Sequence, residues 1–235
     1  MKKYYMIAGL KVEMDSFGKT ETQAEPYRCE PFEQADMVVQ GHWKQIKEIA
    51  PYLPDESCEY MGTGSSFYQQ LLNFEGMMIH ASAVMMDGYA YLFAAPSGTG
   101  KSKHTQLWQK KFGDKAQILN DDKPALRFEN GRWYAYGTPW SGKTALNIPA
   151  RVPLAGICYL LRGEENHIVS MGGKEAIYSL LEQTVRTKRP ELTIKMLELL
   201  DKLVSRVPIW KMKCNMDTQA AAVSFEAMSQ GRKDV

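Results

Sequence analysis

Apolar positions fall into two regimes along the chain. Over residues 4–14, YYMIAGLKVEM, an apolar stretch passes into alternation and predicts one strand, and DMVVQGHW at 36–43 predicts a shorter one. Pro26, Pro31, Pro51 and Pro54 punctuate the pieces around and after them, and SSFYQQLLNF at 65–74 has a short helical pattern opened by serine. Residues 1–75 thus read as a small α+β part. From Gly76 the pattern tightens. MMIHASAVMM at 77–86 and YAYLFAA at 89–95 are apolar runs joined across Asp87-Gly88, a hairpin signal. SKHTQLWQKKF at 102–112 is helical in pattern, AQILN at 116–120 is a short strand, and PALRF and RWYAY flank a second hairpin at Asn130-Gly131.

Further on, VPLAGICYLL at 152–161 is a continuous apolar run and predicts a central strand. Residues 174–187 and 190–206 carry helical periodicity, the second opened by Pro190 at a favoured first position. VPIWKMKC at 207–214 alternates like an edge strand, and residues 217–228 close as a helix capped by Asp217. The sum is an α/β fold with a mixed β-sheet and flanking helices over 76–235, plus the small N-terminal α+β part over 1–75.

Composition narrows the function. With 44% apolar and 24% charged residues, the 235-residue chain has an ordinary globular balance. A net charge of +2 gives no field that points to nucleic acid or to a membrane surface. Cys29, Cys58, Cys158 and Cys214 form no CxxC pair, which argues against a zinc ribbon and fits a reducing, cytoplasmic setting. Glu13 and Asp15 cut the first apolar run short of a signal peptide, and no stretch approaches the length of a membrane helix.

Chemistry concentrates after the second apolar run. AAPSGTGKS at 94–102 follows G-x-x-x-x-G-K-[ST], except that Ala95 stands at the first glycine. With a strand before it and a helix after it, the loop from Pro96, Ser97, Gly98 and Thr99 to Gly100 can hold phosphate oxygens on backbone N–H groups. Lys101 then reaches the outer phosphates and Ser102 ligates Mg2+. Nineteen residues beyond Ser102, ILNDD brings Asp121 and Asp122. One crossover lays their strand parallel to the one feeding the loop, so both carboxylates arrive beside the phosphates. A pair of this kind serves metal binding and proton acceptance from an incoming hydroxyl. His80 lies in the run that pairs with the loop's strand, as a core residue or a site residue. GTPWSGKTALN at 137–147 offers Gly137, Gly142 and the cation Lys143, with Trp140 either stacking on a base or buried. His42, His104 and His167 have no partner at useful spacing.

Taken in order, IHASAV, DGYAYLFAAPSGTGKSKHTQLW and ILNDDKPAL resemble the nucleotide-binding domain of HPr kinase/phosphorylases and their HPr-kinase-like relatives. The resemblance is most specific over 78–128, extends more weakly to the C-terminus, and is not visible in 1–75. It implies a P-loop core also related to that of phosphoenolpyruvate carboxykinases. It also implies that Gly98, Gly100 and Lys101 bind ATP phosphates, that Ser102 holds Mg2+, and that Asp121 and Asp122 share metal binding and base catalysis with His80 close by. Two departures stand out: Lys103 follows the loop's serine where the HPr enzymes have an acidic residue, and the arginine-bearing segment of the bifunctional enzymes has no match, Arg151 lying only in its general region. The expectation is an ATP- and Mg2+-dependent kinase acting on a hydroxyl, a serine of a protein or peptide acceptor, with a homo-oligomer possible. The alternatives are a nucleotide-binding regulatory module without chemistry and a small-molecule kinase.

Overall fold

The computed structural model describes residues 2–233. In chain order its elements are β1 (Lys3–Ile7), β2 (Leu10–Met14), α1 (Gly18–Ala24), β3 (Met37–Val39), α2 (Trp43–Ile49) and α3 (Asp55–Leu71). Then come β4 (Gly76–Met78), β5 (Ala81–Met86), β6 (Tyr89–Ala94), α4 (Lys101–Phe112), β7 (Gln117–Asn120), β8 (Ala125–Glu129) and β9 (Arg132–Tyr136). The chain finishes with β10 (Arg151–Arg162), β11 (His167–Ser170), α5 (Gly173–Leu181), α6 (Pro190–Arg206), β12 (Ile209–Cys214) and α7 (Gln219–Ser229).

Two sheets result. β1, β2 and β3 make a three-stranded sheet in that order, and nine strands make a mixed sheet running β4-β8-β9-β10-β6-β5-β7, with β12 beside β10 and β11 beyond it. The twelve-residue β10 joins the parts of this curled sheet. Its start pairs antiparallel with β9, and its remainder pairs parallel with β6 and β12. One face is covered by α4 and α7, whose Leu107, Trp108, Ala220, Ala221 and Met228 pack on Tyr91, Phe93 and Leu160. The other face is covered by α5 and α6. α6 places Leu192, Met196, Leu199, Leu200 and Leu203 on one stripe, the spacing of a helix that buries a single face. A third core joins Tyr5, Ile7, Val12, Phe67 and Leu71 to Met78, Ala125, Tyr136 and Trp140, so residues 2–75 pack directly on the larger sheet.

Both predicted hairpins form. Asp87-Gly88 and Asn130-Gly131 have positive φ at each central residue, the mirror-image turn that matches strand twist. Other expectations need correction. Residues 4–14 are two strands hinged at Ala8-Gly9, and 36–43 holds only the three-residue β3 before α2 begins. The helix expected at 65–74 starts at Asp55. The run 77–86 is broken at Ile79-His80: β4 pairs with β8, and β5 with β6 and β7. β7 runs parallel in direction to β6, with β5 between them. β12 is an interior strand, paired on both sides, because β11 covers its outer edge. The helix expected over 174–187 ends at Leu181. Asp217 does cap the last helix, its carboxylate accepting the Gln219 N–H at 2.7 Å. All four cysteines are free thiols, and among the described residues no helix is long and apolar enough to cross a membrane.

Candidate functional site

The topology gathers three chain segments at one end of the strands. β6 ends there and releases the glycine-rich loop. β5 runs antiparallel to β6 and so begins there, just after His80; β7 runs antiparallel to β5 and so ends there, just before Asp121. Gly98 and Gly100 have φ of 79° and 122°, a region that residues with a Cβ rarely enter, so the loop's curl depends on them. Ala95 needs no such freedom. It is fully buried at the end of β6, outside the set of described residues with positive φ, and its carbonyl accepts the Lys101 amine at 3.0 Å. The loop is closed by Thr99 N–H to Pro96 O at 3.2 Å and braced from β10 by Arg162, which donates to Gly98 O at 2.6 Å. Burial pulls the Lys101 amine below its usual pKa, against the opposing pull of Asp122 and Asp121.

The acidic pair is aimed by Asn120. Its side-chain oxygen accepts the N–H groups of Asp122 at 3.1 Å and Lys123 at 2.8 Å, and its amide donates to Thr138 O at 2.9 Å. This Asx turn sends the two carboxylates into unlike surroundings. Asp121 is buried and accepts the Ser82 hydroxyl at 2.6 Å, with Thr105 behind Ser82 at 2.8 Å. Asp122 faces His80 Nε2 at 3.0 Å and forms an ion pair with Lys123. Burial alone would raise the Asp122 carboxyl, but the His80 hydrogen bond and the Lys123 charge and hydrogen bond outweigh it and hold the carboxyl at about 2. The His80 main chain is itself fixed, its backbone N–H donating to Gln183 O at 2.7 Å.

A cleft of about 420 Å³ brings together His80, Ser97, Gly98, Gly100, Lys101 and Ser102 with Asp121, Asp122 and Lys143. Pro96 and Thr99 belong to the loop without lining this cleft, and Thr99 borders a second cavity on the loop's other side. Trp140 is not placed to stack on a base: it is fully buried, stacks on Phe67 at 4.8 Å and donates to Thr63 at 3.2 Å. Arg151 lies elsewhere, paired with Glu129 at 2.9 Å and set over the Tyr134 ring.

Several neighbours of the site went unread in the sequence. Asn120 and Lys123 were visible as the flanks of the acidic pair, since Asn before Asp is a side-chain turn signal. Ser82 gave no signal beyond its place in an apolar run. Tyr60 and Lys19 come from the N-terminal part and have no sequence cue. Tyr60 accepts the Gly142 N–H at 2.8 Å, and the Lys19 amine sits 4.3 Å above the Tyr60 ring.

The family model described as SynChlorMet cassette protein ScmC matches residues 60–223. No curated protein matches the chain. Among solved structures, the Hpr(Ser) kinase/phosphatase from Coxiella burnetii is similar at 14% identity over 54% of this chain and 90% of that one, with a TM-score of 0.30. A likeness this low carries nothing about activity.

Proposed function

The chain belongs to the ScmC family, and we propose that it is an ATP- and Mg2+-dependent kinase that transfers the γ-phosphoryl group to a serine hydroxyl of a protein or peptide. One observation carries the reading: a loop shaped for phosphates and two carboxylates in unlike surroundings meet in a single cleft. Phosphoryl transfer asks the protein mainly to position and to screen charge. The N–H groups opening α4 and the Lys101 amine do both for the phosphates. Ser102 and Asp121 would hold Mg2+, which supplies charge neutralisation on the outer phosphates when bound. That donor set suits Mg2+, which is usually held by one or two carboxylates together with substrate phosphates.

Asp122 is too acidic to accept a proton well near neutral pH. We assign that task to His80, with Asp122 fixing its ring and countering its charge, the division of labour seen in carboxylate–imidazole pairs. Lys143 lines the cleft on the side we assign to the acceptor, and Lys123 stands behind Asp122.

Calorimetric titration with ATP, with and without Mg2+, tests the reading beside the Lys101→Ala protein. Mg2+-dependent binding that the substitution abolishes is expected, followed by transfer of labelled γ-phosphate to serine peptides. Equal binding by both proteins overturns the assignment.

A further inference from the structure

We propose that the second cavity at the glycine-rich loop is a nucleobase seat that takes an adenine ring, a proposal that rests on the kinase reading above. The cavity measures about 490 Å³, within the 300–1,000 Å³ common for small-molecule sites. It shares Gly98 and Gly100 with the phosphate cleft but lies on the other flank of β6: the acidic pair stands beyond β5, and this cavity stands against the ends of β10 and β12. A nucleotide laid across the loop would therefore reach both depressions at once.

The walls suit a flat, apolar ring. Leu107 comes from α4, Leu160 and Leu161 from the end of β10, and Cys214 and Met216 from the end of β12 and the turn after it. The two sulfur atoms are polarisable and make favourable contacts with aromatic faces. Arg162, anchored on Gly98 O, stands on the crest between the two depressions.

His104 supplies the polar specificity. It borders the cavity and is 3% exposed. Ser224 Oγ receives the Trp108 Nε1–H at 2.9 Å and donates to Ala221 O at 3.0 Å. Its remaining contact, to His104 Nε2 at 3.1 Å, then uses a lone pair, so the imidazole proton sits on Nε2. Burial lowers the imidazole pKa to about 4, so the ring is neutral near pH 7. Nδ1 is left as a hydrogen-bond acceptor, buried and without a partner. A buried acceptor of this kind is costly unless a ligand satisfies it. With the His104 ring turned toward the cavity, the 6-amino group of adenine would donate to it; the 6-oxo group of guanine, an acceptor, would not.

Titration with Mg2+ complexes of ATP, inorganic tripolyphosphate and purine riboside triphosphate (adenine without its amino group) reads the base separately from the phosphates. The wild type is expected to bind ATP at least about tenfold more tightly than tripolyphosphate, from burial of the ring. Purine riboside triphosphate should lose about 2- to 12-fold for the missing hydrogen bond. Cys214→Trp, at a half-buried wall position on the α4 face of the sheet, should fill the cavity and erase the advantage of ATP while leaving tripolyphosphate binding unchanged. Met216→Ala, at a position 57% exposed where the fold is not at stake, should reduce it in the same selective way. If the wild type binds tripolyphosphate as tightly as ATP, or if both variants keep the full ATP advantage, the base seat is wrong and the phosphate loop stands. Equal affinity for ATP and purine riboside triphosphate overturns the His104 contact and with it the choice of adenine. If neither ATP nor tripolyphosphate binds, the kinase reading fails together with this one.

Discussion

Glu59→Gln should remove the pH dependence that this buried carboxyl imposes on the fold. Glu59 lies in α3, 1% exposed, with Thr20 donating to Oε2 and nothing bonded to Oε1. Burial pushes its pKa from 4.5 up to about 7, against partial relief from the Thr20 hydroxyl, the Phe17 backbone and Lys3. The folded chain thus keeps a proton that the unfolded chain releases between those two values. Stability is therefore fully present below about pH 4.5 and declines as pH rises through about 7. At about 1.4 kcal/mol for each tenfold change in proton affinity, the loss by pH 8 is about 3 kcal/mol. The glutamine removes that loss, but its NH2 takes the unpartnered Oε1 position at a pH-independent cost of about 1 kcal/mol. Urea denaturation of both proteins at pH 5 and pH 8 reads the difference. The variant should be nearly level with the wild type at pH 5, weaker by about 0.2 kcal/mol, and the stronger by about 2 kcal/mol at pH 8. His104, neutral in the fold, lowers the stability of both proteins as pH falls below its usual 6.5 toward about 4, and so cancels from the comparison. Parallel stability curves across this range would show that Glu59 does not hold a proton in the native state.

Two other substitutions bear on the cleft itself. Asp122→Asn removes the hydrogen bond to His80 and the ion pair to Lys123. Those contacts stabilise the fold above about pH 3.8 and fade as pH falls toward about 2. The variant should lose about 2 kcal/mol at pH 7 by urea denaturation and lose phosphoryl transfer, while calorimetry still shows Mg2+-dependent ATP binding. Asn120→Ala strips partners from the Asp122 and Lys123 N–H groups and from Thr138 O. It should cost about 3 kcal/mol in the same denaturation assay and slow transfer by misaiming both carboxylates.

The glycine-rich turn and the acidic pair beside it were legible because local chemistry fixes them, and the same holds for the two hairpins. Asp87-Gly88 and Asn130-Gly131 announce positive φ in their residue types. Ala8-Gly9 makes a turn of the same sign with Ala8 at φ 51°, which no local preference predicts. The Ala8 carbonyl accepts Arg127 from the larger sheet at 3.0 Å, so that turn is held by a contact 119 residues away in sequence. α3 was hidden by the glycines that make it useful. A Cβ on Gly62 would lie 1.6 Å from Gly41 O, and one on Gly64 would lie 2.9 Å from the Trp140 ring. Glycine at both places reads as loop, yet here it lets a helix approach two neighbours closely. β11 escaped notice because its residues are mostly exposed and carry no apolar run.

These close approaches have a functional consequence. Trp140 is seated on α3 through Phe67, Thr63 and Gly64, and two residues later Gly142 is held by Tyr60 of the same helix. Gln23 of α1 adds a contact to the Ser141 hydroxyl at 3.2 Å. The segment 140–143 is thus pinned to the N-terminal part on one side and lines the cleft beside Asp122 on the other. Lys143 reaches the cleft from a backbone that the N-terminal helices fix, and Lys19 approaches the same rim from α1. On the kinase reading, displacing α3 would therefore move the Lys143 wall of the cleft and leave the glycine-rich loop in place, so a partner bound to the N-terminal part would act on transfer rather than on nucleotide binding.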